Sequence, residues 1–175
     1  MTTDRSIYLG LGSNIGDRLA QLRFGLASLA TAGVAIETVS SVYETEPWGE
    51  QPPSTIEIPR YANAVACLRS GLASSELLRL CKLIEVAAGR DLSAPRNSPR
   101  SIDLDLLLVG DEQSVSAELE LPHPRMHERA FVLVPLAEIA PALFHPRLQC
   151  TIEALRSDIS EDGVELLEGV GWDLI

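Results

Sequence analysis

Pro99-Arg100-Ser101-Ile102-Asp103-Leu104-Asp105-Leu106-Leu107-Leu108-Val109-Gly110 is the stretch on which the fold turns. From Ile102 onward it predicts a β-strand, apolar and β-favouring, closed by a Gly110-Asp111 turn. Side chains alternate along a strand, so Asp103 and Asp105 share one face, about 7 Å apart. Ile102, Leu104, Leu106 and Leu108 are expected on the other face, toward a core. Two carboxylates in an apolar strand resist burial and call for cations. Mg²⁺ suits them, because it is commonly held by one or two carboxylates together with substrate phosphates. Two surface aspartates on a solvated strand face would leave the same pattern.

Working outward, the chain surrounds this strand with arginine. Arg90, Arg96, Arg100, Arg125 and Arg129 flank it, and Lys82 is the one lysine in the sequence. Arginine is the cation best shaped for bidentate phosphate contact. The chain as a whole is acidic, with a formal net charge of −11. That excludes the broad basic field that nucleic acids and anionic membranes attract, yet leaves room for a local polyphosphate site. No apolar run approaches the roughly 20 residues of a membrane span. Met1-Thr2-Thr3-Asp4-Arg5 lacks a signal pattern, so the cytoplasm is expected. Cys67, Cys81 and Cys150 are odd in number and lack metal-type spacing; Cys67 and Cys81 are expected as buried thiols.

The length of 175 residues fits a single domain, 1–175, with a tail from about 150 of uncertain role. Ser6–Leu11 predicts a strand, and Asp17 to Ala32 a helix with Leu19, Leu22, Leu26 and Leu29 inward. Gly10-x-Gly12 lacks the third glycine of a dinucleotide loop. Val34–Tyr43 predicts one strand, followed by a long proline-rich loop to Arg60 in which Trp48 is either a packed ring or a stacking platform. Tyr61–Leu68 predicts a strand with Tyr61 and Asn63 on one face. Ser74 to Ala88 predicts a helix on which Lys82 and Glu85 pair at the surface. Residues 111–118 are hairpin-like. A helix is expected over Met126–Ala137, with Arg125 and Arg129 aligned and Pro135 a candidate early stop. In the tail only an amphipathic piece, Ile152–Ile159, stands out.

Five pieces then converge. Arg96-x-x-Pro99-Arg100-x-x-Asp103-x-Asp105 is followed by Pro122-His123-Pro124-Arg125-Met126-x-x-Arg129-x-Phe131. Before them come Gly10-Leu11-Gly12-Ser13-Asn14, Ser41-x-Tyr43-x-Thr45 and Tyr61-x-Asn63. Together, over about residues 6 to 147, they resemble the 6-hydroxymethyl-7,8-dihydropterin pyrophosphokinase family.

The resemblance implies an α+β fold, a ferredoxin-like sandwich of a mainly antiparallel sheet with helices on its faces; the predicted β-α-β-β-α-β order agrees. It implies an ATP-dependent pyrophosphokinase of folate biosynthesis, acting as a monomer. Its substrates are ATP and the dihydropterin, with no nucleic-acid or membrane partner. By the same resemblance Asp103 and Asp105 hold two Mg²⁺ ions, and Arg90 and Arg100 join them in catalysis. Lys82, Glu85, Arg96, Leu106, His123 and Arg129 then lie along ATP. Gly12, Thr45, Trp48, Tyr61, Asn63 and Phe131 line the pterin slot. The chain departs from the family at Asn97-Ser98, where Trp-Gly is usual, and at Leu92, often arginine. Its loop 50–60 is longer than usual and is expected to act as a mobile lid over the pterin. A ferredoxin-like RNA-binding module, a metal-dependent nuclease or phosphatase, and a pyrophosphokinase relative that has lost activity, supported only by the altered Asn97-Ser98 loop, are the rival readings. The acidic charge opposes the first, and the lack of further carboxylates the second.

Overall fold

The structure is a computed structural model that describes residues 4–49, 58–90 and 98–173. Its chain order begins β1 (Arg5–Ser13), α1 (Arg18–Thr31), β2 (Ala35–Val39), β3 (Val42–Thr45), β4 (Tyr61–Ser70), α2 (Ser74–Ala87) and β5 (Asp103–Val109). After these come β6 (Ser114–Val115), β7 (Glu120–Leu121), a 3-10 turn at Met126–Glu128, and α3 (Ala130–Ile139). β8 (Phe144–His145), β9 (Cys150–Thr151), α4 (Ile152–Ser157) and β10 (Val164–Glu168) complete it. The fold is α+β, with a main sheet in the order β10-β3-β4-β1-β5, β2 also pairing with β4, and every pairing antiparallel.

Helices cover both faces because both faces of the sheet are apolar. On one, Ile7, Leu9, Leu11, Ala62, Ala64 and Ala66 meet the buried stripes of α1 and α2. Asp17 caps α1, accepting from Ala20 N at 3.0 Å. Within α1, Gly25 permits close approach to the sheet, since a Cβ there would collide with Ile102 Cδ1. On the other face Val65, Leu107 and Leu108 pack against Met126, Val132, Leu133 and Leu136.

Several sequence expectations need correction. Leu104 and Leu106 lie on the α1–α2 side as expected, but Leu108 does not. The β1–β5 register shifts between Tyr8 and Leu9, which face Leu108 and Leu106 respectively. Leu107 is thus an extra residue, and the bulge turns Leu107 and Leu108 to the α3 side. The single strand expected over Val34–Tyr43 is two, broken at Ser40-Ser41. The helix expected from Met126 starts as a 3-10 turn, breaks at Arg129 (φ −117, ψ 106), and resumes as α3. Pro135 lies inside α3 and does not end it, because buried Val132, Leu133, Val134 and Leu136 hold the helix on the sheet. The tail holds a strand that the sequence did not suggest, β10, which pairs with β3. Cys81 is buried, whereas Cys67 is only half-buried; all three cysteines are free.

Candidate active site

The two aspartates stand where the α3-covered face of the sheet runs out from under its helix. Antiparallel partners share a face, so register places the residues in rows. One row reads Asp103, Gly12, Asn63, Tyr43 across β5, β1, β4 and β3. The next reads Asp105, Gly10, Val65, and Val65 already belongs to the core under α3. Gly12 keeps the first row open: a Cβ there would lie 3.3 Å from Asn63 Oδ1.

Above the rows is a cavity of about 1030 Å³. One side is charged, lined by Lys82, Arg90, Arg100, Asp103, Asp105 and Arg129. The other is flatter and more apolar, lined by Thr45, Pro47, Trp48, Ile58, Tyr61 and Phe131. His123 and Arg125 also border it.

The charged side is organised from beneath by Glu85, which is fully buried. Its Oε1 accepts from Lys82 Nζ at 3.0 Å and from the backbone N–H of Leu104 at 2.9 Å. Its Oε2 accepts from Arg90 Nη1, which also donates to Asp103 Oδ1 at 3.0 Å. Arg100 Nη1 donates to the same oxygen at 3.0 Å. Arg100 is fixed at its backbone: its N–H donates to Asn14 Oδ1 at 2.8 Å, and its carbonyl accepts from Asn14 N at 3.2 Å.

Asp105 is different. Among the described residues it makes no hydrogen bond or ion pair. Burial and the neighbouring Asp103 charge push its carboxyl up to about 6. His123 is held neutral, its pKa lowered to about 4 by burial and by the Arg129 charge. Its Nδ1 accepts from Arg125 N at 3.2 Å, which leaves the proton on Nε2. Arg129 is pushed down by burial, and its Nε finds no hydrogen-bond partner among the described residues.

The aromatic side is a stack. The Arg125 and Arg129 guanidiniums lie 4.3 Å and 4.9 Å from the Trp48 ring centre. Trp48 meets Phe131 edge-on at 6.3 Å. Asn63, nearly buried, donates from Nδ2 to Thr45 Oγ1 at 2.8 Å.

The fold therefore gathers most of the residues singled out in the sequence around one cavity. Glu85 and Asn63 stand just behind its lining. Lys82 and Glu85 do pair, but the carboxylate is fully buried and only Lys82 reaches the surface. The Leu106 side chain is in the core, on the face away from Asp105. Arg96, Leu92, Asn97 and residues 50–57 of the proposed lid lie outside the described residues. Asn14 as an anchor, and Glu46 and Ile58 as lining, were missed; Asn14 stood inside the Gly-Leu-Gly-Ser-Asn motif and carried a signal.

A divalent ion suits this donor set. Among the described residues there is no cluster of three or more acidic, histidine or cysteine ligands. The described residues thus offer Asp103 and Asp105, and the remaining positions would fall to water and substrate oxygens, which is how Mg²⁺ is usually bound. Asp105, without a cation in contact among the described residues, is the group such an ion would neutralise.

Residues 8–141 match the family described as 7,8-dihydro-6-hydroxymethylpterin-pyrophosphokinase. A 2-amino-4-hydroxy-6-hydroxymethyldihydropteridine pyrophosphokinase of Synechocystis is 44% identical over 145 residues, covering 82% of this chain and 71% of the relative. The protein of the same name from Bacillus subtilis is 39% identical over 160 residues, 91% of this chain and 88% of the relative. In shape, the wild-type HPPK-DHPS of Plasmodium falciparum matches with a TM-score of 0.70 at 15% identity, over 90% of this chain and 45% of that one. This chain thus spans less than half of that longer protein. On its sequence match the chain belongs to the 7,8-dihydro-6-hydroxymethylpterin-pyrophosphokinase family.

Proposed function

We infer that this chain transfers pyrophosphate from ATP to the hydroxymethyl group of 6-hydroxymethyl-7,8-dihydropterin, releasing AMP, as a step of folate synthesis. The observation that carries the reading is the division of one cavity into two sides. A triphosphate fits the guanidinium and carboxylate side, and a flat heterocycle fits the Thr45–Asn63–Phe131 side. The hydroxymethyl oxygen attacks the β-phosphorus. The bond from that phosphorus to the oxygen bridging it to the α-phosphorus breaks, AMP departs with that oxygen, and the hydroxyl proton passes to water.

Within this reading each residue has a physical task. Asp103 and Asp105 would hold Mg²⁺, which would supply charge neutralisation on the phosphate oxygens. Arg90 and Arg100 exchange Asp103 for phosphate oxygens, and Arg129 offers its Nε–H. His123, neutral, donates from Nε2. Lys82 adds positive charge at the rim. Asn63 presents a donor and an acceptor to the pterin edge, with Thr45 fixing its orientation, while Phe131 and Trp48 supply the stacking surface. Alignment and electrostatics carry the reaction, as expected for phosphoryl chemistry. The strand order, with β1 and β4 central between β3 and β5, supports the ferredoxin-like arrangement. No described helix is long and apolar enough to cross a membrane, and the acidic charge supports a reading without nucleic-acid or membrane partners. A monomer acting in the cytoplasm is proposed on the family resemblance.

The test is one incubation with ATP, Mg²⁺ and the dihydropterin. AMP and a diphosphorylated pterin are expected; ADP in place of AMP, or no nucleotide turnover, overturns the reading. The Gly12 opening is testable in the same assay. Gly12→Ala should raise KM for the pterin about tenfold with little change in KM for ATP, because its methyl group displaces the Asn63 amide.

A further inference from the structure

β2 and β3 both pair with β4 but in different registers. Val39 faces Ala66, whereas Tyr43 faces Asn63. The chain thus spends one more residue than β4 does over this interval, and the surplus sits at Ser40-Ser41. An extra residue sends every later side chain to the opposite face. Here it puts Tyr43 and Thr45 on the face of Asn63 and Tyr61. In the register of Val39 and Ala66, Glu44 would stand opposite Tyr61 and bring a negative charge to the heterocycle slot.

A bulge also strands backbone groups, and buried ones must find partners. Ser40 N still donates to Val65 O of β4 at 2.9 Å, and the other groups at this bulge find side-chain partners. Ser40 O accepts from the Trp172 indole Nε1 at 2.7 Å. Ser41 N donates to both Glu138 oxygens, at 3.0 and 3.1 Å, and Ser41 Oγ donates to Glu138 at 2.8 Å. Ser41 O accepts from Ser40 Oγ at 2.7 Å, and that hydroxyl accepts from Val65 N at 2.9 Å. Tyr43 OH reaches the same Glu138 carboxylate at 3.0 Å. Trp172 is itself fixed: it is 4% exposed, and its carbonyl accepts from Arg23 Nε at 2.6 Å. It lies beyond residues 8–141, the part that matches the family.

We propose that Trp172 and Glu138 are positioning residues that lock the register of β3, and through Thr45 and Asn63 set the recognition of the heterocycle. The last part of this rests on the reading above that the slot takes a dihydropterin. It assigns a task to the Ser-x-Tyr half of the Ser41-x-Tyr43-x-Thr45 motif and to the C-terminal residues, none of which touches the cavity side that binds ATP.

Trp172→Phe keeps the ring and removes the donor; Glu138→Ala removes the other clamp from a solvent-exposed position, with Glu138→Gln as the conservative partner. Each loss should raise KM for the pterin about tenfold, leave KM for ATP within about twofold, and be partly rescued in Glu138→Gln. Should Trp172→Phe fail to fold, Glu138→Ala carries the test. Both KM values rising together, or neither changing, overturns the lock. Hydrogen exchange supplies a readout independent of turnover: the amides of 41–45 should exchange faster in the variants while those of β5 do not. If the unaltered protein makes no AMP, the reaction reading fails, and unchanged exchange at 41–45 would then separately overturn the lock.

Discussion

Replacing Asp105 by asparagine should abolish AMP formation and, at neutral pH, stabilise the ligand-free protein. The two outcomes share one cause. Asp105 is half-buried beside another carboxylate and has no cation in contact among the described residues, and desolvation together with the Asp103 charge raises its pKa from 3.8 to about 6. A carboxyl that ionises less readily folded than unfolded favours the native state at low pH. That contribution is intact below about pH 4, fades as pH rises, and is lost above about pH 6. The loss amounts to something on the order of 2 kcal/mol. Asparagine carries no charge and escapes it. The melting temperatures of the two proteins should therefore coincide near pH 4, and the variant should melt about 4–8 °C higher at pH 7. Mg²⁺ should raise the melting temperature of the unaltered protein and not that of Asp105→Asn. AMP formation should fall by a factor of about 10³ or more, since removing charge stabilisation at a phosphoryl centre costs several kcal/mol. Retained Mg²⁺-supported turnover, or a variant less stable than its parent at pH 7, would contradict this account.

Glu85→Ala should be the most damaging single change to stability among the cavity residues, although Glu85 does not line the cavity. Its carboxylate is fully buried and takes hydrogen bonds from Lys82, Arg90 and Leu104 N. Removing it leaves a buried N–H without an acceptor, takes the counter-charge from Lys82, and leaves Arg90 with Asp103 alone. Such a loss costs about 1–3 kcal/mol. Denaturant titration should show the midpoint falling with little change in slope. Glu85→Gln keeps an acceptor for Leu104 N while giving up the charge, and should fall between. Turnover should drop in both, because Arg90 loses the brace that holds it against Asp103. A Glu85→Ala protein as stable as its parent would show that the buried carboxylate is not the organiser described here.

The sequence was most legible where a simple period governs the structure. Asp103 and Asp105 share a face because strands alternate, and Tyr61 and Asn63 sit opposite the Ala62–Ala64–Ala66 core face for the same reason. Legibility failed where the period slips. Nothing in Leu106-Leu107-Leu108 marks which leucine is surplus, since all are apolar and either face has a core to receive them. Ser40-Ser41 reads as two ordinary strand residues until the partners of their backbone groups are seen. Glu85 looked like half of a surface pair because i, i+3 spacing says nothing about which way the helix faces. β10 was invisible because Val164-Glu165-Leu166-Leu167-Glu168 has no clean alternation, being an edge strand with Leu166 exposed. Arg129 was placed on a helix face with Arg125. Instead the chain breaks there, and the two guanidiniums converge on Trp48 from different backbone settings.

The reciprocal bonds between Asn14 and Arg100 carry a consequence for how the nucleotide is seized. They moor the peptide on either side of Arg100 to the end of β1, the strand that also bears Gly12. If the guanidinium leaves Asp103 for a phosphate oxygen as proposed, it would pivot from that moored base by rotation of its own side-chain bonds. The main chain at that residue would not have to travel to complete the swing.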